Sequence, residues 1–191
     1  AVLTDGGVSG RRVLVSGGAG SVGHYAVQFA RLLGAAQVLA TVSSEEKAAH
    51  ARSAGADATI DYKRQDVAER VGALTGGRGV DRVVEVDIAG NDAVLPALLA
   101  PGGLVAVYGS NAAVAQIAFG PSILKGIAFR FFIVYELDAA QRATALGALN
   151  GWLERGLVRH AVAARMPLAE CAEAHRAVQE GRRVGSVVLG C

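Results

Sequence analysis

The chain has little cysteine, little proline and few aromatic residues, and it has no long apolar run. Its two cysteines, Cys171 and Cys191, are far apart and form no Cys-x-x-Cys pair. Neither a disulfide framework nor a zinc site is therefore expected, and a reducing, cytoplasmic location is predicted. Every apolar run is interrupted by glycine or charge well short of the ~20 residues of a membrane-spanning helix. No signal peptide is recognised, and no membrane partner is expected.

An excess of charge of one sign is also lacking. Lysine and arginine number 19 and aspartate and glutamate 17, which gives a net charge of +2. No basic block and no alternation of basic with aromatic residues occurs, so nucleic acid is not expected as a partner. The chain begins with Ala1 rather than methionine, shortly before its first predicted strand. We therefore expect a fragment or an isolated domain.

Glycine, in contrast, is abundant, and one group of glycines stands in an informative context. The pattern Gly18-x-Gly20-x-x-Gly23 follows a strand-like run over Arg11–Ser16 and precedes a helical pattern that ends at Gly34. This spacing allows a sharp turn, brings backbone N–H groups against a pyrophosphate and packs the helix closely on the strand. The helix N-terminus adds a partial positive charge. The predicted phosphate-binding residues are Gly18, Gly20, Ser21, Val22 and Gly23. A purely structural turn is the alternative.

Strand-like and helix-like runs alternate along the rest of the chain. After Arg11–Ser16, the predicted strands are Gln37–Val42, Ala58–Asp61, Val80–Val86, Leu104–Tyr108 and Ile127–Val134, and extended pieces follow at Val162–Arg165 and Gly185–Leu189. The predicted helices cover 45–54, 66–74, 91–99, 122–125, 138–155 and 168–179, the first of them opened by a capping box at Ser43-Ser44-Glu45-Glu46. The alternation predicts an α/β fold: a Rossmann-type, doubly wound, parallel six-stranded sheet with helices on both faces. Residues 1–191 are expected to form one dinucleotide-binding domain.

The end of the second strand indicates which nicotinamide cofactor fits. Versions of this fold that prefer NAD place a carboxylate there to bind the ribose hydroxyls. Here the strand is followed by Ser43 and Ser44, and no carboxylate precedes Glu45. Lys47, one turn into the helix, could reach a 2′-phosphate together with these hydroxyls. NADPH is therefore predicted as the cofactor, and the alternative for Lys47 is a solvated lysine on the helix surface.

Several sequence blocks together resemble a known family. They are Val13–Gly23, Ala26–Ala30, Ala54–Asp57, Asp61-Tyr62, Pro101–Ser110, Pro167–Glu170 and Ala174-His175. In this order they resemble the cofactor-binding domain of the zinc-independent, zeta-crystallin-like quinone oxidoreductases of the medium-chain dehydrogenase/reductase superfamily. The resemblance implies hydride transfer from NADPH to a quinone or related enone. An enoyl or alkenal reductase and a non-catalytic NADPH-binding module remain alternatives. The upstream barrel-like substrate domain of that family is absent from this sequence.

The resemblance also implies roles for individual residues. Ser43 and Lys47 would hold the 2′-phosphate, Tyr62 would lie near the adenosine phosphate, and Asn91 would contact the cofactor. The residues expected to border the nicotinamide are Tyr108, Gly109, Ser110, Phe132, Ile133 and Val134. The alternatives are a surface aromatic for Tyr62, a helix cap for Asn91 and plain core for 132–134. The closing strand reads Gly185-Ser186-Val187 where many relatives have Gly-Lys, which puts a lysine contact from that strand in doubt.

No catalytic residue is predicted, because the cofactor carries hydride transfer and the protein aligns it. His24 is expected to face solvent, Glu85 and Asp87 are expected at the solvated ribose edge, and the histidines lack metal-ligand spacing. A short-chain dehydrogenase is excluded because no tyrosine is followed four residues later by lysine. A methyltransferase would want an acidic residue at the end of the second strand, and none is present.

The sixth predicted strand, Ile127–Val134, is long, apolar and expected at a sheet edge. Such an edge favours aggregation unless it is covered. The relatives pair this strand across a two-fold axis. The resemblance therefore implies a homodimer with a continuous sheet.

Overall fold

The computed structural model describes residue 3 and residues 7–181 and 184–191, so the chain's start at Ala1 lies outside the described residues. Six strands form one sheet in the order β3-β2-β1-β4-β5-β6, and all of its neighbouring strands are parallel. The strands are β1 (Arg12–Val15), β2 (Gln37–Val42), β3 (Ala58–Asp61), β4 (Val80–Glu85), β5 (Leu99–Val107) and β6 (Ala128–Phe131). The predicted doubly wound parallel sheet is confirmed.

Helices connect the strands, and a second small sheet follows them. The helices are α1 (Ser21–Leu32), α2 (Glu45–Ser53), α3 (Val67–Leu74), α4 (Ile88–Asn91), α5 (Leu95–Leu98), α6 (Phe119–Lys125), α7 (Ala139–Glu154) and α8 (Cys171–Gln179). Short 3₁₀ turns occupy Val134–Glu136 and Leu168–Glu170. The strands β7 (Val162–Pro167) and β8 (Ser186–Gly190) pair in parallel outside the six-stranded sheet. Among the described residues, none of the helices combines the length and the apolar character needed to cross a membrane.

Both faces of the large sheet are buried, because successive side chains of a strand point to opposite faces. Val13 and Val15 of β1 pack in a cluster with residues of α1 and α2. Leu14, between them, packs in the opposite cluster with Val71 of α3 and Leu95 of α5. This explains why the strands read as continuous apolar runs, as is typical of parallel sheets covered on both faces. The strand order reverses between β1 and β4, and a crevice opens at the carboxyl ends of these strands.

Two expected boundaries around β5 are wrong. The helix predicted over 91–99, which Pro96 was expected to kink or to start late, is two short helices, α4 and α5, separated by a turn, so the late start holds. Pro96 lies in the first turn of α5, where its missing N–H costs no intrahelical bond. Strand β5 begins at Leu99 rather than at Leu104, and its pairing with β4 is irregular between these two residues. Gly102, with φ of +73°, lies within that irregularity and adopts a backbone conformation that other residues rarely reach.

Strand β6 is shorter than predicted. It ends at Phe131, because the neighbouring β5 ends at Val107 and offers no further partner beyond one bond from Phe132 N–H. Val134 begins a 3₁₀ turn instead of ending the strand. The predicted helix over 168–179 is likewise a 3₁₀ turn followed by α8. As predicted, β6 lies at an edge of the sheet.

Helix α1 is attached to the segment between α7 and β7. The side chain of Gln28 donates a hydrogen bond to the Arg159 carbonyl (3.0 Å) and accepts one from the Arg159 N–H (2.7 Å). The hydroxyl of Tyr25 lies 2.8 Å from Nδ1 of His160. These contacts fix the helix whose N-terminus follows the glycines.

His24, expected to face solvent, is buried instead, with 5% of its surface exposed. Its ring stacks on that of His50 in α2, with centroids 4.4 Å apart. Its Nε2 lies 3.1 Å from the Arg159 carbonyl oxygen. The expectation is wrong because α1 is covered on this side by α2 and by the chain near Arg159.

Candidate functional site

The glycine bend joins the end of β1 to the start of α1. Gly17 has a φ of +65°, which favours glycine at this position. Thr41, near the end of β2, fastens the bend: its Oγ1 accepts the Gly17 N–H and its carbonyl accepts the Gly18 N–H, both at 3.0 Å. The Gly20 N–H then donates to the Gly17 carbonyl at 2.9 Å, which closes the turn.

Close packing explains two of the glycines in the bend. A Cβ atom at Gly23 would lie 2.1 Å from the Gly17 carbonyl oxygen, and one at Gly18 would lie 2.5 Å from the Ala40 Cβ. Helix α1 begins at Ser21 with Gly20 as its N-cap and no side-chain cap. Ser21 and Val22 are exposed. The first-turn N–H groups are therefore accessible and carry the partial positive charge of a helix N-terminus, and all five predicted phosphate-binding residues lie together there.

Helix α2 begins shortly after Thr41, the residue that binds the bend. Ser44 is the N-cap, and its Oγ accepts the Lys47 N–H at 3.3 Å. The predicted capping box is wrong, because the third helical position is Lys47 rather than a glutamate. The Lys47 Nζ donates to the Ser43 Oγ at 3.2 Å, so the predicted 2′-phosphate residues are brought together. Glu45 pairs with Arg52.

A cavity of about 350 Å³ lies in the crevice between β1, β2 and β4. Its lining includes Ser16, Gly17, Thr41, Tyr62, Glu85 and Asn91. The structure thus places Tyr62 and Asn91, both predicted from the resemblance, in one cavity beside the glycine bend. Tyr62 is 51% exposed, so it forms the rim of this cavity rather than its floor.

Glu85 lies at the floor of this cavity and is completely buried. Its carboxylate accepts hydrogen bonds from Ser16 Oγ (2.7 Å), the Asp87 N–H (2.6 Å) and Asn91 Nδ2 (2.8 Å). The expected solvated position at the ribose edge is therefore wrong for Glu85. Asp87 is the N-cap of α4 and also accepts the Asn111 N–H at 2.8 Å. The alternative of a helix cap is wrong for Asn91, because Asn91 ends α4.

A second, larger cavity of about 1050 Å³ lies beyond the ends of β5 and β6. The predicted nicotinamide residues Tyr108, Gly109, Ser110, Phe132 and Ile133 line it. Val134 does not line it and is 51% exposed at the start of its 3₁₀ turn. Ile133 is 55% exposed, so plain core is the wrong description of Ile133 and Val134.

Tyr108 lines the larger cavity, and its pKa is affected by Glu85, which lines the smaller one. Burial and the negative charge of Glu85 raise the pKa of Tyr108 to about 12. Its ring lies 6.4 Å from that of Phe132, measured between centroids. A Cβ at the next residue, Gly109, would lie 2.3 Å from the Val86 carbonyl oxygen. Tyr108 therefore keeps its phenolic proton at physiological pH, and the chain passes close to the end of β4.

The closing strand also approaches the bend. A cavity of about 350 Å³ separates Gly20 and Ser21 from Gly185 and Ser186. Within the described part of the chain, no group of three or more histidine, cysteine, aspartate or glutamate residues could hold a metal ion. Ser16 and Thr41 were not predicted as site residues, and Glu85 was expected at the ribose edge but in solvent. Ser16 and Thr41 are polar residues in or directly after apolar runs, and Glu85 ends its strand directly after Val83 and Val84.

A doubly wound sheet with a glycine bend at its switch point defines a dinucleotide-binding protein. Comparison with known proteins narrows this class. Residues 21–149 match the zinc-binding dehydrogenase family, and the chain belongs to that family, within the medium-chain dehydrogenase/reductase superfamily.

Individual relatives support this assignment. The chain is 37% identical over 188 residues to a 2-haloacrylate reductase of a Burkholderia species, covering 94% of the chain and 55% of the relative. It is 37% identical over 186 residues to a quinone oxidoreductase of Pseudomonas aeruginosa, covering 94% and 56%. A mycobacterial protein solved in complex with NADPH superposes with a TM-score of 0.85 and 31% identity, covering 98% of this chain and 60% of that one. The chain thus spans little more than half the length of these relatives.

Proposed function

We propose that this chain is the NADPH-binding part of an oxidoreductase that transfers hydride to a quinone or a related enone. The observation that carries the proposal is the contact between Lys47 Nζ and Ser43 Oγ beside the glycine bend. Helix α2 packs on the bend, because the Ala51 Cβ lies within 3.7 Å of where a Cβ at Gly18 would be. A 2′-phosphate and a diphosphate could therefore be held by neighbouring groups.

The residues present fit this cofactor along its length. The first-turn N–H groups of α1 would hold the diphosphate, since the absence of side chains at Gly18 and Gly23 keeps the bend tight. Ser43, Ser44 and Lys47 would hold the 2′-phosphate, with no carboxylate at the end of β2 to repel it. The cavity with Tyr62 and Asn91 would take the adenosine. The bound nicotinamide supplies the hydride.

The larger cavity suits an acceptor with a flat, apolar ring. Its walls include Tyr108, Phe132 and Ile133, which we expect to border the nicotinamide together with Gly109, Ser110 and Val134. Such walls would align the acceptor and exclude water, while no side chain needs to act as acid or base. We accordingly assign no catalytic residue.

Reduction of an unsaturated acid is the second candidate. One relative is a 2-haloacrylate reductase, and Arg130 lines the same large cavity, where its guanidinium could pair with a carboxylate. Comparing a neutral quinone with an acrylate as acceptor in the Arg130→Gln variant would separate the two candidates. Loss of activity toward the acrylate alone would favour the second.

Further properties of the complete protein are also proposed. We place most substrate contacts on a barrel-like domain upstream of this chain in the complete protein, and we propose a homodimer through the edge strand β6. The cytoplasm remains the proposed location, a small molecule the proposed substrate, and zinc independence is part of the same proposal.

Calorimetric titration with NADPH and NADH tests the cofactor assignment. Lys47→Ala is expected to weaken NADPH binding by roughly ten- to a hundredfold and to leave NADH binding unchanged, because it removes a charge-assisted hydrogen bond to the phosphate alone. Arg155→Ala, an exposed cation on the far end of α7, is the matched control. Tighter binding of NADH than of NADPH by the wild type would contradict the proposal.

Oxidation of NADPH with a small quinone tests the activity. The assay would compare this chain with the complete protein, and we expect turnover in the complete protein and little in the chain alone. Tight NADPH binding without turnover in either would favour a non-catalytic NADPH-binding module.

A further inference from the structure

Glu85 is a buried acidic side chain that the hydride transfer proposed above does not use. It has no exposed surface, yet it forms part of the floor of the cavity beside the bend. Its hydrogen-bond donors in the described part of the chain are neutral groups: a hydroxyl, a backbone N–H and an amide. Burying an acidic group lowers the stability of the fold unless its oxygens accept hydrogen bonds. The presence of Glu85 at this buried position therefore calls for an explanation.

The three donors belong to three parts of the cavity. Ser16 directly precedes the bend, Asp87 caps α4, and Asn91 ends α4. Ser16 is 69 residues from Glu85 in sequence, so this hydrogen bond joins β1 to β4 at the point where the strand order reverses. Glu85 therefore sets the relative positions of the bend and the wall that carries Asn91.

The direction of these hydrogen bonds decides what a ligand would meet. Asn91 uses its Nδ2 to donate to Glu85, so its carbonyl oxygen is left for a ligand in the cavity. Ser16 uses its proton in the same way, so its oxygen is left as an acceptor. A buried acceptor of this kind binds groups that donate, and it rejects groups that only accept.

We propose that Glu85 is a positioning residue of the cofactor site, which turns the free oxygens of Asn91 and Ser16 toward hydrogen-bond donors of the adenosine half of the dinucleotide. The donors would be ribose hydroxyls or the exocyclic amine of the base. This inference rests on the proposed function, since it assigns the adenosine to this cavity.

Replacing the acid by its amide tests the proposal. In Glu85→Gln, the Asp87 N–H keeps the amide oxygen on the side that accepts from Asn91, so the amide nitrogen faces Ser16. Ser16 Oγ then accepts from this nitrogen, and its own proton turns toward the cavity, where it meets the hydrogen-bond donors of the ligand. We expect NADPH to bind about tenfold more weakly. In the Ser16→Ala background no hydroxyl is left to turn, so adding Glu85→Gln should weaken NADPH binding by less than about threefold beyond Ser16→Ala alone.

Controls separate this role from a merely structural one. Glu154→Gln makes the same chemical change at an exposed position of α7 and should leave the affinity for NADPH unchanged. Each variant's thermal midpoint without ligand would be measured alongside, because loss of structure alone would weaken NADPH binding equally with and without the Ser16 hydroxyl. Should Glu85→Gln not fold, Ser16→Ala removes one of the three donors at a small side chain and should still weaken NADPH binding by a few-fold.

The outcomes are distinct. A wild type that binds no NADPH in calorimetry would overturn the proposed function. A wild type that binds NADPH, with Glu85→Gln equal to it, would overturn only the role of Glu85. Equal weakening by Glu85→Gln in the wild-type and Ser16→Ala backgrounds would also overturn it, because the direction of the Ser16 hydroxyl would then not matter.

Discussion

Gly18 and Gly23 are confined by contact, not by an unusual backbone angle. Both have ordinary φ values, unlike Gly17, and what excludes a side chain at Gly23 is the carbonyl of Gly17. The tightness of the bend is therefore a property of packing between two backbones. This is the contact that brings the first turn of α1 close to the end of β1.

Substituting Gly23 should consequently damage both the fold and the phosphate site. Gly23→Ala places a Cβ where a backbone oxygen lies 2.1 Å away, and neither atom can move without opening the bend. We expect a loss of about 3 kcal/mol in the free energy of unfolding, as measured by urea denaturation. Gly147→Ala, in the exposed part of α7 with no atom within 4 Å of the new Cβ, should instead gain roughly 0.5–1 kcal/mol. Equal stability of the two variants would contradict this account.

Tyr108 should make the protein sensitive to strongly alkaline pH. Its pKa is raised from 10.0 to about 12 by burial and by the charge of Glu85. Between these values the folded state keeps a proton that the unfolded state has released, so stability falls as pH rises through this window. Tyr108→Phe should reduce that fall, and Glu85→Gln should lower the pKa of Tyr108. Difference ultraviolet titration against Tyr108→Phe measures the pKa of Tyr108 in the wild type and in Glu85→Gln, and urea denaturation at several pH values measures the fall in stability. An unshifted titration would rule out the burial of the phenol.

The elements were predictable where local signals suffice. Strands β2 and β3 have their predicted bounds, and α7 lies one residue inside its prediction because Asp138 caps it through a capping box. The predictions fail where distant partners decide. The apolar pattern after Phe131 continues, but β6 stops because β5 stops.

The residues of the candidate site likewise divide into those predicted by local signals and those decided by distant partners. The glycines form one local pattern between β1 and α1, and Ser43 and Lys47 form another directly after β2, so the local context predicts the chemistry proposed for each group. The burial of Glu85 depends on Ser16, which is 69 residues away, and no local pattern reports that contact. The burial of His24 depends likewise on His50 and on the chain at Arg159.

The stacked pair of His24 and His50, which joins α1 to α2, should make the fold sensitive to acid. Burial, and then the charge of His24, lower the pKa of His50. As pH falls below the ordinary value of 6.5, the unfolded state binds this proton before the folded state does. Stability is therefore lost as pH falls toward the lowered pKa.

Replacing His50 tests this link between the helices. His50→Phe keeps a ring for stacking and removes the titration, so its thermal midpoint should change less than that of the wild type between about pH 7 and pH 5. His175→Phe, on the exposed side of α8, is the control and should keep the sensitivity of the wild type. The same acid sensitivity in His50→Phe would show that other groups cause it.

In the molecule as a whole, helix α1 connects the glycine bend to the C-terminal segment. Helix α1 begins at the bend and is attached through Gln28 to Arg159, just before β7. The closing strand β8, paired with β7, in turn faces the bend across a cavity. The C-terminal segment therefore supports the proposed cofactor site.

The edge of the large sheet that β6 forms should mediate the assembly of two copies of the chain. Strand β6 is an edge strand. Phe131, its last residue, and Ile133, two residues further on, are 61% and 55% exposed. Pairing with a second copy across a two-fold axis would cover both. We expect a dimer at micromolar concentration by light scattering, and a monomer for Phe131→Asp, because two new charges would meet at the axis. Leu146→Asp, on exposed α7, should remain dimeric. A monomeric wild type would contradict the two-fold pairing.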